Sequence, residues 1–138
     1  MLSIKRTLTQ ILLQIKNLID MDTPARSDLT VDSGITASTW TAKLNKYGGF
    51  CILQFNANIT STITKSTETV VTTLPADARP IISTYMVITP QNASDQSILV
   101  SIKSSGEITV NPRMRNHVTS DGFLRFVVAY PISYRGTT

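Results

Sequence analysis

The chain of 138 residues has few of the side chains on which catalysis and metal binding usually depend, with one cysteine and one histidine. Cys51 has no second cysteine with which to form a disulfide or a Cys-x-x-Cys metal site, and it falls inside a strand pattern, which predicts a small buried apolar side chain. His117 has no second metal ligand at helical or hairpin spacing and no nucleophile motif beside it. We therefore expect no catalytic residue, no metal, no cofactor and no enzyme activity.

The chain also has little charge and no long apolar run. Charged residues make up 16% of it, and its net charge of +4 comes from Lys and Arg scattered along the sequence. Scattered cations are not the basic run typical of a nucleic-acid site, so we expect no nucleic-acid partner. No stretch approaches the roughly 20 apolar residues of a membrane-spanning helix. The apolar stretch after Lys5 and Arg6 is interrupted by polar residues and has no cleavage site, so we expect neither a membrane partner nor a signal peptide.

What is present begins with an amphipathic helix in residues 1–20. Apolar residues recur there at alternating steps of four and three, which places them along one side of a helix. The mixture of Ile and Leu favours three strands over two, so the sequence predicts a trimeric coiled coil. The seam consists of Ile4, Leu8, Ile11, Ile15 and Leu18. The alternative is an amphipathic helix that packs on its own domain. Because Met1 directly precedes the helix, we expect a complete gene product.

Residues 21–37, which contain Pro24 and Gly34, are expected to end the helix and form a linker. From residue 38 the period changes to two, and Trp40 falls on the apolar face of a strand, where it is expected to be core. A turn at residues 47–49 then leads into a second alternating strand.

Further strands are predicted at residues 69–74, 81–89, 97–103, 107–110 and 123–132. The last is apolar on both faces, which indicates a central strand or one buried against neighbouring subunits. Seven or eight short strands with turn signals at near-regular spacing predict a mainly β domain over residues 38–138. We expect an antiparallel β-sandwich or a jelly-roll-like arrangement.

Polar side chains collect in one predicted exposed loop, residues 111–122. Arg matches phosphate and carboxylate in a forked geometry, while Asn and Asp match the paired hydroxyls of a sugar ring. The predicted ligand is therefore a saccharide or an anionic cell-wall glycopolymer, and the candidate residues are Asn111, Arg113, Arg115, Asn116, His117 and Asp121. Alternatively, these residues only solvate the loop or form ion pairs between subunits. If the strands simply run up and down, this loop faces the helix end, whereas a Greek-key crossover reverses some of the strand directions, and the sequence leaves both arrangements open. Subunit clefts are a further candidate site.

Several short motifs occur in a characteristic order in the β domain. They are Tyr47-Gly48-Gly49-Phe50, Thr73-Leu74-Pro75, Arg79-Pro80 and Gly106-Glu107-Ile108-Thr109-Val110. With the helical start, this order over about residues 38–132 resembles the head domains of phage tail-fibre and baseplate receptor-binding proteins, in particular the small trimeric heads from phages of Gram-positive bacteria. The chain departs from the longer members of that group in having no shoulder or collagen-like shaft.

The resemblance implies a homotrimeric β-sandwich head that binds a host cell-surface saccharide for adsorption. It implies a virion protein of the tail or baseplate, made in the host cytoplasm, whose partners are a host cell-wall saccharide or anionic glycopolymer and other phage tail proteins. The alternative function is structural, with the head only capping or assembling a tail fibre and binding no ligand.

Overall fold

In the computed structural model the N-terminal helix is present as α1, Leu2–Asp22. The structure describes residues 2–22 and 25–133, with side chains for residues 4–16 and 27–133. Four seam side chains are between 46% and 60% exposed: Ile4, Leu8, Ile11 and Ile15. Leu18 lies in α1, but its side chain is outside the described residues. Over residues 4–16 the apolar face does not pack on the chain's own domain, and the trimeric coiled coil stays a prediction.

Eight strands follow α1. In chain order they are β1 Ala25–Asp28, β2 Ala37–Tyr47, β3 Phe50–Ile59, β4 Thr69–Thr73, β5 Thr84–Ile88, β6 Ile98–Ile102, β7 Glu107–Pro112 and β8 Leu124–Pro131. Two short 3₁₀ turns, Ala76–Ala78 and Thr119–Asp121, lie in the connections. The strands form two four-stranded antiparallel sheets, in the orders β1-β2-β3-β8 and β4-β7-β6-β5. The predicted mainly β sandwich is therefore confirmed.

The predicted hairpin of β2 and β3 is the longest pairing in the first sheet. It runs from Tyr47 opposite Phe50 to Ala37 opposite Ile59. In the second sheet, β5, β6 and β7 are consecutive neighbours, and β4 lies beside β7 rather than beside β5. This order is that of a Greek key, a connection found in most β-sandwiches.

Alternating side chains of both sheets form the core, as the period-two pattern predicts. Along β3 every second side chain, from Cys51 to Ile59, is buried. Trp40 packs edge-on against Phe55, with ring centroids 5.2 Å apart, and its indole N–H donates to the carbonyl of Leu29 at 2.7 Å. Cys51 is fully buried, as expected, and this burial raises the pKa of its thiol. Each large apolar side chain buried in this way contributes about 1.5–3 kcal/mol to stability.

The structure departs from the sequence-based expectations in the segment between helix and sandwich. The expected linker, residues 21–37, contains β1, which pairs with β2 from Ala25 opposite Lys46 to Asp28 opposite Lys43. β1 has only four residues, with no apolar alternation, and it joins the sheet through backbone hydrogen bonds, which leave no signal in the side-chain pattern.

The last strand also differs from its expected position. β8 lies at the edge of the first sheet, so the prediction of a central strand is wrong. Its apolar residues on the outward face remain exposed, and Val127 is 64% exposed. β5 begins at Thr84, three residues later than predicted, and residues 81–83 are not part of its pairing with β6. The N–H of Ile81 instead donates to the carbonyl of Pro131, in β8, at 3.0 Å.

Candidate functional site

The direction of β1 decides which loops lie far from the helix. Only residues 23 and 24 separate the end of α1 at Asp22 from Ala25, so at most about 11 Å of extended chain joins them. Ala25 lies beside Lys46, at the end of the sandwich that holds the β2–β3 turn. The C-terminal end of α1 is therefore tied to that end. The β7–β8 loop, residues 113–123, lies at the opposite end.

This corrects the expectation drawn from simple up-and-down strands, which placed the loop at the helix end. The additional strand β1 reverses the direction of the chain once before β2 begins. We call the end opposite α1 the distal end. It carries the loops at residues 29–36, 60–68, 89–97 and 113–123.

Hydrogen bonds tie the distal loops to one another. Ile63 and His117 exchange backbone hydrogen bonds of 2.9 and 3.0 Å, joining the second and fourth of these loops. Asn116 Oδ1 accepts from the N–H of Lys65 at 2.8 Å. The N–H of Asn92 donates to the carbonyl of Asp121 at 2.9 Å and adds the third loop. The distal end is thus a connected surface and not a set of independent loops.

An arginine holds the β7–β8 loop in its shape. Arg115 forms two parallel hydrogen bonds with Asp121, from Nη1 to Oδ2 at 2.9 Å and from Nη2 to Oδ1 at 2.8 Å. It also contacts the carboxylate of Asp95 at 3.2 and 3.3 Å and donates to the carbonyl of Asn116 at 3.1 Å. Forked pairs of this kind are stronger and more directional than single ion pairs. Most of the donors of Arg115 are therefore used within the chain.

The carboxylate of Asp121 is the buried partner in this pair. Its side chain is 5% exposed, and it also accepts from the N–H of Val118 at 3.0 Å. The guanidinium of Arg115, together with this backbone donor, holds the pKa of Asp121 below its usual value, and Asp121 in turn raises the pKa of Arg115. A carboxylate whose pKa is lowered in the folded state stabilises the fold above its unfolded pKa, and this contribution is lost as the pH falls through the folded value.

A buried glutamine supports the start of the loop. Gln96 is 2% exposed, and its side-chain amide donates to the carbonyl of Arg115 at 2.8 Å. Its carbonyl oxygen accepts from the N–H groups of Met114 and Ser97, at 3.1 and 3.2 Å. The side chain of Gln96 therefore bonds three backbone groups and joins the loop at residues 89–97 to the β7–β8 loop.

His117 lies inside the sandwich. It is fully buried, and neither ring nitrogen has a hydrogen-bond partner, although Nδ1 lies 3.4 Å from Asp121 Oδ2. Burial lowers the pKa of His117, because the charged form loses its water, and this effect outweighs the nearby carboxylate. The expectation of an exposed segment is therefore wrong for His117 and Asp121, because the loop folds these two side chains inward to close the core.

The remaining candidates are spread over the surface. Arg113 and Asn116 are exposed, and among the described residues the guanidinium of Arg113 has no ion-pair partner. Asn111 faces outward from β7, and its side-chain oxygen is buried without a partner. Arg115 forms ion pairs with Asp95 and Asp121 of its own chain, and the alternative of ion pairs between subunits stays a prediction. Ligand binding by this set stays a prediction, carried mainly by Arg113 and Asn116.

A second polar feature lies on the outer face of the first sheet and was missed in the sequence. Arg125, in β8, donates from Nε to Asn56 Oδ1 at 2.9 Å, and its guanidinium carbon lies 4.6 Å from the centre of the Phe123 ring. A single cation in an apolar strand was the only signal in the sequence. Its hydrogen-bond partner Asn56 lies in β3, 69 positions away in the sequence. Only the pairing of β3 with β8 brings the two side chains together.

The fold of the head is similar to that of a known structure. The chain superposes on the head domain of lactococcal phage bIL170, which is described among the receptor-binding domains of lactococcal phages, with a TM-score of 0.59. The match covers 79% of this chain and 98% of that chain at 18% identity. This chain has the fold of a phage receptor-binding head. No protein-family model and no curated protein matches the sequence.

The resemblance inferred from the short motifs is thereby confirmed at the level of fold. We call residues 25–133 the head. Among the residues described, no group of three or more His, Cys, Asp or Glu side chains is arranged to hold a metal ion. Nor does any helix in the described ranges combine the length and the apolar character needed to cross a membrane.

Proposed function

We propose that this chain is the host-recognition component of a phage tail or baseplate, and that its head binds a host cell-surface saccharide without catalytic turnover. The observation that carries the proposal is the shared fold, which extends over 98% of a head domain described as receptor-binding. The arrangement of the two ends of the head supports the proposal. α1 joins one end, and the polar distal loops lie at the other, as required of a module that is anchored at one end and makes contact at the other.

Three copies of the chain form the functional unit in this proposal. The seam of α1 is exposed over residues 4–16, and it needs neighbouring helices to cover it. The head adds a second uncovered apolar surface along β5, one of the two edge strands of its sheet. Residues 80–94 contain no charged side chain, while Ile81, Ile82, Tyr85 and Val87 are each more than half exposed. Identical copies can approach there without bringing like charges together.

Trimer formation is tested by light scattering on the full chain. We expect a mass near three times 15.1 kDa. Replacing Ile11 and Ile15 together by Asp places charge in the seam and should give monomers, because burying unpaired charges is strongly unfavourable. The matched control is Thr9→Asp with Leu13→Asp, which has the same spacing and charge on the other side of α1. A monomeric parent protein, or a seam variant that stays trimeric, contradicts the proposed role of α1.

Saccharide binding is tested by titrating the full chain with wall fragments from candidate hosts. We expect saturable binding that weakens on Arg113→Ala, at the distal end, and does not weaken on Arg79→Ala, at the helix end. The wall polysaccharide should keep its chain length during the incubation, since no turnover is proposed. If the trimeric protein binds no wall material from any host that the phage infects, the alternative of a purely structural cap is favoured.

A virion location is part of the same proposal. The helix end would contact other phage tail proteins, and the distal end would face the host. Crosslinking of purified virions followed by mass spectrometry should link residues of α1 to tail or baseplate proteins. Links from the distal loops alone would reverse the proposed orientation.

A further inference from the structure

The outer face of the first sheet is polar and lacks acidic residues in three of its strands. β2, β3 and β8 contain no Asp or Glu. Strand pairing places Thr41, Asn56 and Arg125 side by side in one row across these strands, and Lys43, Gln54 and Val127 in the next row. Arg125 therefore lies in a row with neutral hydroxyl and amide groups. Lys43, in contrast, lies opposite Asp28 of β1.

Arg125 is held in a defined position without an acidic partner. Its guanidinium stacks over the Phe123 ring at 4.6 Å, and its Nε donates to Asn56 Oδ1 at 2.9 Å. Among the described residues, no carboxylate forms an ion pair with it. Arg115, in contrast, is neutralised by Asp121 and Asp95. A cation that is already oriented loses less conformational freedom when it binds a ligand.

The contact with Asn56 determines what the pair can bind. Nε of arginine is always a donor, so the oxygen of the Asn56 amide must point toward it and its NH₂ group must point away. Apart from the second lone pair of Asn56 Oδ1, the polar groups left to the pair are then the two Nη groups of Arg125 and the Nδ2 group of Asn56, all of them donors. A ligand must supply several acceptors close together, which a phosphate or carboxylate does.

A groove of about 400 Å³ lies over this row. It is bounded by Thr41, Gln54, Arg125 and Val127, with the backbone of β3 and β8 as its floor. The volume is at the small end of the range for ligand sites and suits one charged sugar or one phosphate with its flanking carbons. We call it the Arg125 groove.

We propose that the Arg125 groove binds an anionic oxygen group, a phosphodiester or a sugar carboxylate, of the host surface polymer. The inference rests on the proposed function for the source of the ligand, but the donor arrangement is a property of the head itself. It adds a site on the side of the head to the loops at the distal end. In this proposal Arg125 contacts the charged groups of the polymer and not its neutral hydroxyls.

The test is calorimetric titration of the full chain with three probes: an oligomer of glycerol phosphate, an oligosaccharide containing a uronic acid, and a neutral oligosaccharide. We expect one or both charged probes to bind, and which of them binds identifies the source of the anionic group. Arg125→Gln should weaken that binding about tenfold or more, since it removes a charged, forked donor. The control Lys43→Gln makes the same change of charge on the same face and should alter binding by less than about threefold.

A second variant separates loss of binding from loss of fold. Asn56→Asp places a carboxylate against Arg125 and should abolish anion binding while keeping the Arg125 contact and the unfolding temperature. If neither charged probe binds, if Arg125→Gln and Asn56→Asp bind like the parent, or if Lys43→Gln weakens binding equally, the inference is wrong.

The result is distinguishable from failure of the proposed function. Wall fragments that bind equally well to the parent and to Arg125→Gln leave the proposed function standing and overturn the groove. Charged probes that bind through Arg125, together with no binding of host wall material, support the groove and contradict the proposed function.

Discussion

The pair of Arg115 and Asp121 provides the most direct test of how the distal loop is held. Replacing Arg115 by Met keeps much of the aliphatic stem and removes the guanidinium. The Asp121 carboxylate, 5% exposed, would keep only its bond from the N–H of Val118. A buried carboxylate without its cation is strongly unfavourable, so the loop must open to water or the carboxylate must take up a proton.

The expected magnitude follows from burial. Breaking a fully buried ion pair costs about 3–5 kcal/mol. Because the Arg115 side chain is 39% exposed, solvent screening reduces the expected loss to about 2–3 kcal/mol. For a chain of this length, each kcal/mol lowers the unfolding temperature by about 3–5 °C. Arg115→Met should therefore lower it by roughly 6–15 °C.

The assay is urea unfolding of a double-mutant cycle made from Arg115→Met, Asp121→Asn and their combination. The control is a cycle on Lys46 and Asp77, whose single contact is 3.4 Å long and whose Asp77 side chain is 55% exposed. That coupling should be about 0.5 kcal/mol or less, and the coupling of Arg115 with Asp121 about 2 kcal/mol. Equal coupling energies in the two cycles would refute the view that Arg115 holds the loop.

Three further predictions concern buried or strained positions. The pKa of His117 lies below its usual 6.5, so as the pH falls the unfolded chain takes up this proton before the folded chain does. The free energy of unfolding should therefore decrease as the pH drops below about 6.5. Urea titrations at several pH values should show this decrease in the parent and not in His117→Gln. Gly106→Ala places a side chain at φ +98° and should cost about 1–3 kcal/mol; a thermal melt identical to the parent contradicts it. Tyr130→Phe removes the 2.7 Å hydrogen bond to the Ala78 carbonyl and should cost about 1–2 kcal/mol; chemical denaturation with unchanged stability would show that water replaces this bond.

Local patterns were sufficient for much of the architecture. The seam of α1 and the alternation along β2 and β3 are properties of neighbouring residues, because helices repeat every 3.6 residues and strands every two. They predicted the helix, the hairpin, the buried Cys51, the packing of Trp40 against the core, and an antiparallel sandwich. The order of short motifs predicted the head fold, which the comparison with a solved structure confirmed.

Tertiary pairing decided the rest. The four residues of β1 carry no pattern of their own, yet their pairing with β2 determines which end of the sandwich the helix joins. The loop at residues 111–122 was correctly identified as polar, but only its folded path shows that His117 and Asp121 turn inward while Arg113 faces solvent. Arg125 and Asn56, 69 positions apart, become neighbours through a β-ladder. A sequence carries periodicity within each element, whereas contacts between distant elements depend on how the chain folds back on itself.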